Sequence, residues 1–428
     1  MLYAVKPSPS PLRPSTALRE PTPTGGHDSD DMRQVLLTAL HTFARKPLPM
    51  SQLRTYADYL ETMAFAGPTR WFGGPSNLAW AWREYFDLAD RVEQQLSAAA
   101  PEPESEATNR VLVSAMTLLT SRVLAFASQE ARRDPSLLSV PLIATATRAS
   151  SRTRRWCRDD EPGKSQMMGV LSYSVIDVAA LAVERLTHDE TCTGDLVRET
   201  TGALDEVLAT LKQLASQYPT EASFDEGLGA HQTGQPSRSV RALQGVAWSH
   251  DVLGQAGVLP PQKQLQEALS LLEQLWHPAH ERPNERRGLV RTAAHLTSAW
   301  STVLEAGATT RMDMGTRCLW LARQASAAAA EDLVLAHAVL DVTQSVAAIG
   351  GISLKKGGKK GARLALHAAD VARNVMGRGN VELNPEALAG TIENLSQVAT
   401  EAIDRKLPEA AELAAKLRVL MSLSAPAR

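Results

Sequence analysis

From Ser29 onward the apolar residues recur with a helical period, and the helices come in pairs that repeat about every 45 to 50 residues. The second half shows the pairs best: Val240 to Gly257 with Pro261 to Trp276, Leu289 to Gly307 with Met312 to Ala325, Leu333 to Gly350 with Gly361 to Met376, and Glu386 to Arg405 with Pro408 to Ser422. Two first helices share Ala-Trp-Ser, at Ala247-Trp248-Ser249 and Ala299-Trp300-Ser301, and each ends on Ala-Gly (Ala256-Gly257, Ala306-Gly307). A lone helix pair cannot cover its own apolar stripe, whereas stacked pairs share a continuous core. The expected fold class is therefore all-α: paired antiparallel helices stacked as an α-solenoid or irregular helical-repeat array, behind a disordered N-terminal tail. An irregular bundle built from the same Ala/Leu alphabet is the alternative.

The stripe is equally clear earlier in the chain, where Leu112, Met116, Leu119, Val123 and Phe126 follow one helix face. Aromatics make up only 5% of the chain, and short alternating Val/Ile/Thr runs are missing, so no strand signature arises. Breaks at Pro101 to Glu106, Asp134-Pro135, Glu161 to Gly163, Pro219 to Pro236, Pro278 to Pro283 and Gly350 to Gly361 divide roughly fifteen helices. They group into an N-terminal helical segment (31–100), a middle segment (107–218) and C-terminal repeats (237–423).

Residues 1–30 differ from the rest. Pro7, Pro9, Pro11, Pro14, Pro21 and Pro23 alternate with Ser and Thr, a density that rules out helix and sheet. No acidic residue precedes Glu20, and the apolar stretch of a secretory signal is missing. A type III secretion leader, an organellar transit peptide and an ordinary flexible terminus all fit. The formal net charge of -2 argues against a surface built wholly for phosphate backbones. Cys157, Cys192 and Cys318 are too scattered for a disulfide framework or a cysteine-rich zinc site, and no run of about 18 apolar residues occurs.

Few residues stand out as chemistry. Lys355, Lys356, Lys359 and Lys360 alternate with Gly357, Gly358 and Gly361 between two helices, a cationic loop suited to phosphate, anionic lipid or an acidic partner, although its spacing is not that of a Walker A loop. Arg152, Arg154 and Arg155 surround Trp156 at a helix end; they complement the helix dipole or recognise an acidic peptide. Trp71 and Phe72 lie in a Gly/Pro-rich loop, as a plug over the first helices or a partner contact, while Trp80, Trp82, Trp248, Trp276, Trp300 and Trp320 sit at helical positions and are read as packing. The His-Asp pairs at His27, His188 and His250, and the loop His277 to Glu281, lack the spacing of a metal site. No catalytic, metal or cofactor set is assigned.

Paired helices of this length resemble HEAT or armadillo-type repeats, and the Trp-bearing first helices are faintly similar to the octotricopeptide class of RNA-binding repeats. With the Ser/Pro leader and the preference for Arg over Lys, the chain resembles plant-pathogen type III effectors that carry helical repeats. That resemblance implies a secreted, non-enzymatic scaffold acting on a host protein; outside such a system the expected location is cytoplasmic. Two alternatives remain: an RNA-binding repeat protein, which needs a continuous basic face, and a Cys-dependent ubiquitin ligase, whose Cys-x-Asp motif is similar to Cys157-Arg158-Asp159.

Overall fold

The computed structural model describes residues 78–98, 103–157, 164–188, 194–217, 235–377, 383 and 385–424. The leader, Trp71 and Phe72 lie outside them. Among the described residues there are thirteen α-helices and no strand. They fall into two units divided at Leu137 and Leu138.

In the first unit α1 (Leu78–Ala98) packs on α2 (Pro103–Arg133). The helix α2 starts at a proline, where the missing N–H costs nothing, so it begins inside the break expected from Pro101 to Glu106. Tyr85, Leu88, Leu112, Met116 and Leu119 are buried, and the Tyr85 hydroxyl meets Thr120 Oγ1 at 2.8 Å. Trp82 stands edge-on to Tyr85 with ring centroids 5.8 Å apart. Asp134 ends the unit's long helix by accepting from the Ser136 amide (3.0 Å) and hydroxyl (2.6 Å).

The second unit begins with α3 (Val140–Trp156), followed by α4 (Lys164–His188) and α5 (Gly194–Gln217), α6 (Arg238–Gln255) and α7 (Gln262–Ala279), α8 (Pro283–Glu305) and α9 (Asp313–Ala325), α10 (Leu333–Lys355) and α11 (Lys360–Met376), and α12 (Pro385–Asp404) and α13 (Ala410–Ser424). Each second helix packs on its own first helix. In addition α4, α6, α8, α10 and α12 lie side by side as one layer, and α5, α7, α9, α11 and α13 as another. This is an α-solenoid of five pairs, with α3 packed on α4 and α5 ahead of them. Its core lies between the layers, where Leu243, Val246, Leu289, Leu296, Trp300, Val339, Val346 and Leu395 are all at or near zero exposure.

The repeat is sharpest at the ends of the first helices. Gly257, Gly307 and Gly357 have φ of 85°, 77° and 90°, and Lys406 occupies the same place with φ 55°. At each, the amide bonds back three residues and the following amide five, as in Gly257 to Gly254 (3.0 Å) and Val258 to Leu253 (2.9 Å), or Lys406 to Ile403 (2.9 Å) and Leu407 to Ala402 (3.0 Å). This left-handed C-terminal cap satisfies carbonyls that the helix itself leaves open, and glycine enters that conformation without steric cost.

Two expected breaks are shorter than the sequence suggests. The helix α10 runs through Gly350 and Gly351 to Lys355, because the glycines serve a crossing: a Cβ on Gly350 would lie 2.7 Å from the Gly361 carbonyl oxygen, and one on Gly361 would lie 2.2 Å from that of Gly350. Likewise α7 continues through Pro278 to Ala279, and α8 starts at Pro283. Two helices, residues 109–133 and α10, have the length and apolar composition to cross a membrane; both are mostly buried within the fold.

Candidate functional site

Successive pairs are tied together by side chains, and these ties absorb several of the residues singled out above. Arg154 reaches from α3 to α5 and grips Glu206 as a fork, Nε to Oε1 at 2.9 Å and Nη2 to Oε2 at 3.0 Å. Glu206 is 7% exposed and also accepts from Ser150 and Thr210. The carboxylate holds the Arg154 pKa above its ordinary value despite burial, the signature of a structural ion pair. Arg152 is buried, with its guanidinium 5.6 Å from the Trp156 ring centroid, and Trp156 is half-buried. Of these three arginines Arg155 alone is exposed.

The four lysines separate in a similar way. All are exposed, yet Lys356 donates its Nζ to the carbonyls of Leu304 and Glu305 (3.1 Å to the latter), at the C-terminal end of α8 in the preceding pair. A cation there complements the negative end of the helix. Lys355, Lys359 and Lys360 face outward, and Lys359 and Lys360 lead into α11.

Cys157 is 1% exposed, and its carbonyl accepts from Gln213 Nε2 at 2.9 Å. A ubiquitin thioester needs a reachable thiolate, so the ligase reading loses its nucleophile in this fold. Cys318 is likewise buried, and desolvation pushes its thiol well up. His250 is fully buried, and desolvation lowers its pKa from 6.5 to about 4, with Gln264 pulling the other way. Asp251 turns away from His250 and pairs with His295 on α8 at 2.8 Å. Among the described residues no group of three His, Cys, Asp or Glu side chains is placed to hold a metal ion.

Two exposed surfaces remain. The outer face of the first helices is of mixed sign: Arg241 lies over Tyr173 at 4.3 Å, followed by Arg291 and His295 on α8, His337 and Asp341 on α10, and Glu393 and Glu401 on α12. The outer face of the second helices carries an ion-pair ladder: Lys212 to Glu267 at 2.8 Å, Arg317 Nε to Glu273 at 2.6 Å, and Lys416 to Asp370 at 2.7 Å. Between α9 and α11 no such pair forms among the described residues. Trp320 is 45% exposed there, contrary to its reading as a packing residue, and Arg323, Arg363 and His367 are exposed beside it.

These were missed in the sequence for a simple reason. A tryptophan at a helical position reads as core until the turn of its helix is known. The signal was present in Thr316, Trp320 and Arg323, whose spacing shares the arc of α9 opposite buried Cys318, Leu321, Ala322 and Ala325.

No family model matches the chain, and no curated protein does. Among solved structures the chain is similar to one described as a circular tandem repeat protein with novel repeat topology and enhanced subunit contact surfaces. Identity is 16% and the TM-score 0.39 over 92% of this chain and 90% of that one, which is too distant to carry a functional argument.

Proposed function

We propose that the chain is a non-enzymatic scaffold that binds a protein partner along its helical array. The observation that carries this reading is the outer face of the first helices, five helices wide, where Arg241, Arg291, Asp341, Glu393 and Glu401 interleave both signs with the Tyr173 ring. Extended faces of stacked pairs suit a polypeptide ligand. Mixed charge favours a protein surface over a phosphate backbone, which would call for a continuous basic stripe. The leader adds a second, separate proposal, that the scaffold is delivered into a host cell through a type III apparatus.

Photo-crosslinkers placed at Arg291 on α8 and Gln397 on α12, both exposed, test the scaffold. Recovery of the same polypeptide from both positions supports it; nucleic acid, or no product above an uncrosslinked control, overturns it. Residues 1–30 fused to a translocation reporter test delivery, and absence of type III-dependent export refutes that part alone.

A further inference from the structure

The ion-pair ladder of the second helices has one gap, and its place in the repeat makes it informative. One repeat is about 50 residues. Glu267, Arg317 and Lys416 occupy equivalent positions on α7, α9 and α13, and each pairs with the preceding helix. The equivalent residue on α11 is His367. Facing it, the acids that serve the neighbouring seams are replaced: one repeat before Asp370 stands Trp320, and one repeat after Glu273 stands Arg323. The α9–α11 seam has thus exchanged both carboxylate positions for an aromatic ring and a cation.

The result is a cationic strip with an aromatic centre. Trp320 and Arg323 are exposed on α9; Lys360, Arg363 and His367 are exposed along α11 at helical spacing, with Lys359 just ahead. None of these cations has an ion pair among the described residues, which sets them apart from Arg154, Arg317 and Lys416. The acids of the two helices are Asp313, in the first turn of α9, and Asp370, held by Lys416 at 2.7 Å with Arg373 at 3.9 Å. Neither neutralises the middle of the strip.

We propose that this seam is a docking site for an acidic segment of a partner protein, whose carboxylates pair with Arg323, Arg363 and Lys360 while an apolar side chain lies on Trp320. Arginine supplies forked donors for carboxylates, and an exposed indole supplies the apolar anchor from which binding surfaces draw much of their affinity. A phosphate backbone fits less well, because the strip is short, has a single stacking ring and is bounded by Asp313 and Asp370. The proposal rests on the protein-scaffold reading and names the partner's chemistry.

The test uses the full chain and fluorescence anisotropy with three labelled probes: a peptide of Glu, Asp and Leu, the same peptide with Gln and Asn in place of the acids, and a polyuridine oligonucleotide. The acidic peptide should bind, weaken with added salt, and exceed its amide counterpart by at least about tenfold. Trp320→Ala should weaken it about 30-fold. The double variant Arg323→Glu/Arg363→Glu should abolish it, while Arg418→Glu, on the exposed part of α13, leaves it unchanged. Circular dichroism and thermal unfolding check that each variant is folded. Equal binding of the amide peptide, or indifference to the double variant, overturns the proposal. So does oligonucleotide binding lost in the same double variant. If crosslinking at Arg291 and Gln397 recovers a protein while the acidic peptide fails to bind, the seam assignment falls and the scaffold reading stands.

Discussion

Replacing the cap glycines by alanine isolates the backbone cost of the repeat's defining turn. An added Cβ at Gly257 or Gly357 meets nothing within 4 Å, so packing contributes no penalty, and the φ values of 85° and 90° decide the outcome. An L-residue in the left-handed region costs about 1 to 2 kcal/mol. Alanine returns about 0.4 to 1 kcal/mol by stiffening the unfolded chain. The net expectation is a loss of about 1 kcal/mol for each of Gly257→Ala and Gly357→Ala. Lys406→Gly runs the same substitution backwards; its φ of 55° is near the centre of the left-handed well, so the gain should be smaller, about 0.5 kcal/mol. Gly202, within α5 and also open around its Cβ, is the control of opposite sign: Gly202→Ala should stabilise by about 0.5 to 1 kcal/mol. Repeat arrays can open locally, so urea unfolding by circular dichroism is paired with hydrogen exchange over residues 250–262, 350–362 and 400–412, where 1 kcal/mol appears as about a fivefold change in rate. Silence of both glycine variants in both measurements, or destabilisation by Lys406→Gly, would refute the reasoning.

Three further outcomes follow from buried polar ties. Glu285, 1% exposed, accepts from the Ser237 amide (2.7 Å) and hydroxyl (3.0 Å), so Glu285→Ala should cost about 3 kcal/mol in urea unfolding and Glu285→Gln much less. Burial raises its native pKa although Ser237 opposes the shift, so the native state holds its proton longer; its contribution is greatest below the ordinary carboxylate pKa and declines as pH rises through the native one, a slope that Glu285→Gln should remove. His250 acts in the opposite sense: with its native pKa lowered from 6.5 to about 4, stability present above 6.5 should fall by about 3 kcal/mol as pH drops toward 4, and His250→Phe showing the same acid slope would exclude this residue as the cause. Arg154→Ala should destabilise by about 3 kcal/mol by stranding buried Glu206, whereas exposed Arg155→Ala should stay within about 0.5 kcal/mol; equal effects on the unfolding midpoint would contradict the pairing.

What the sequence could reveal was set by how local its cause is. The pairs from Val240 to Ser422 were legible because apolar stripes and the caps at Gly257 and Gly307 act within one helix end. Gly350 reads as a break for equally local reasons, and only the approach of the Gly361 backbone explains why α10 passes through it. The same limit separates the lysines: their charge is plain in the sequence, but Lys356 is committed by carbonyls at Leu304 and Glu305, a full repeat earlier. Arg154 is committed by Glu206, likewise far along the chain. Trp320 reads as core because five other tryptophans share its helical setting, and three of these, Trp82, Trp276 and Trp300, are buried; its exposure depends on how α9 is turned against α7 and α11.

Stability in such an array is close to a sum of terms within pairs and between neighbours. Most lateral joints here combine packing with a polar link, as in Ser237 to Glu285, Asp251 to His295, Arg287 to Asp332, Arg317 to Glu273 and Lys416 to Asp370. Between the pairs α8/α9 and α10/α11, the first layer keeps its link through Arg287 and Asp332, while the second layer has none among the described residues. An acidic segment lying on Arg323 and Arg363 would supply from outside the carboxylates that Asp370 and Glu273 supply to the adjoining seams. Binding and lateral cohesion would then share one set of charges. The acidic peptide should accordingly slow hydrogen exchange in both α9 and α11, and exchange unchanged at saturating peptide would show that the ligand, wherever it binds, does not bridge them.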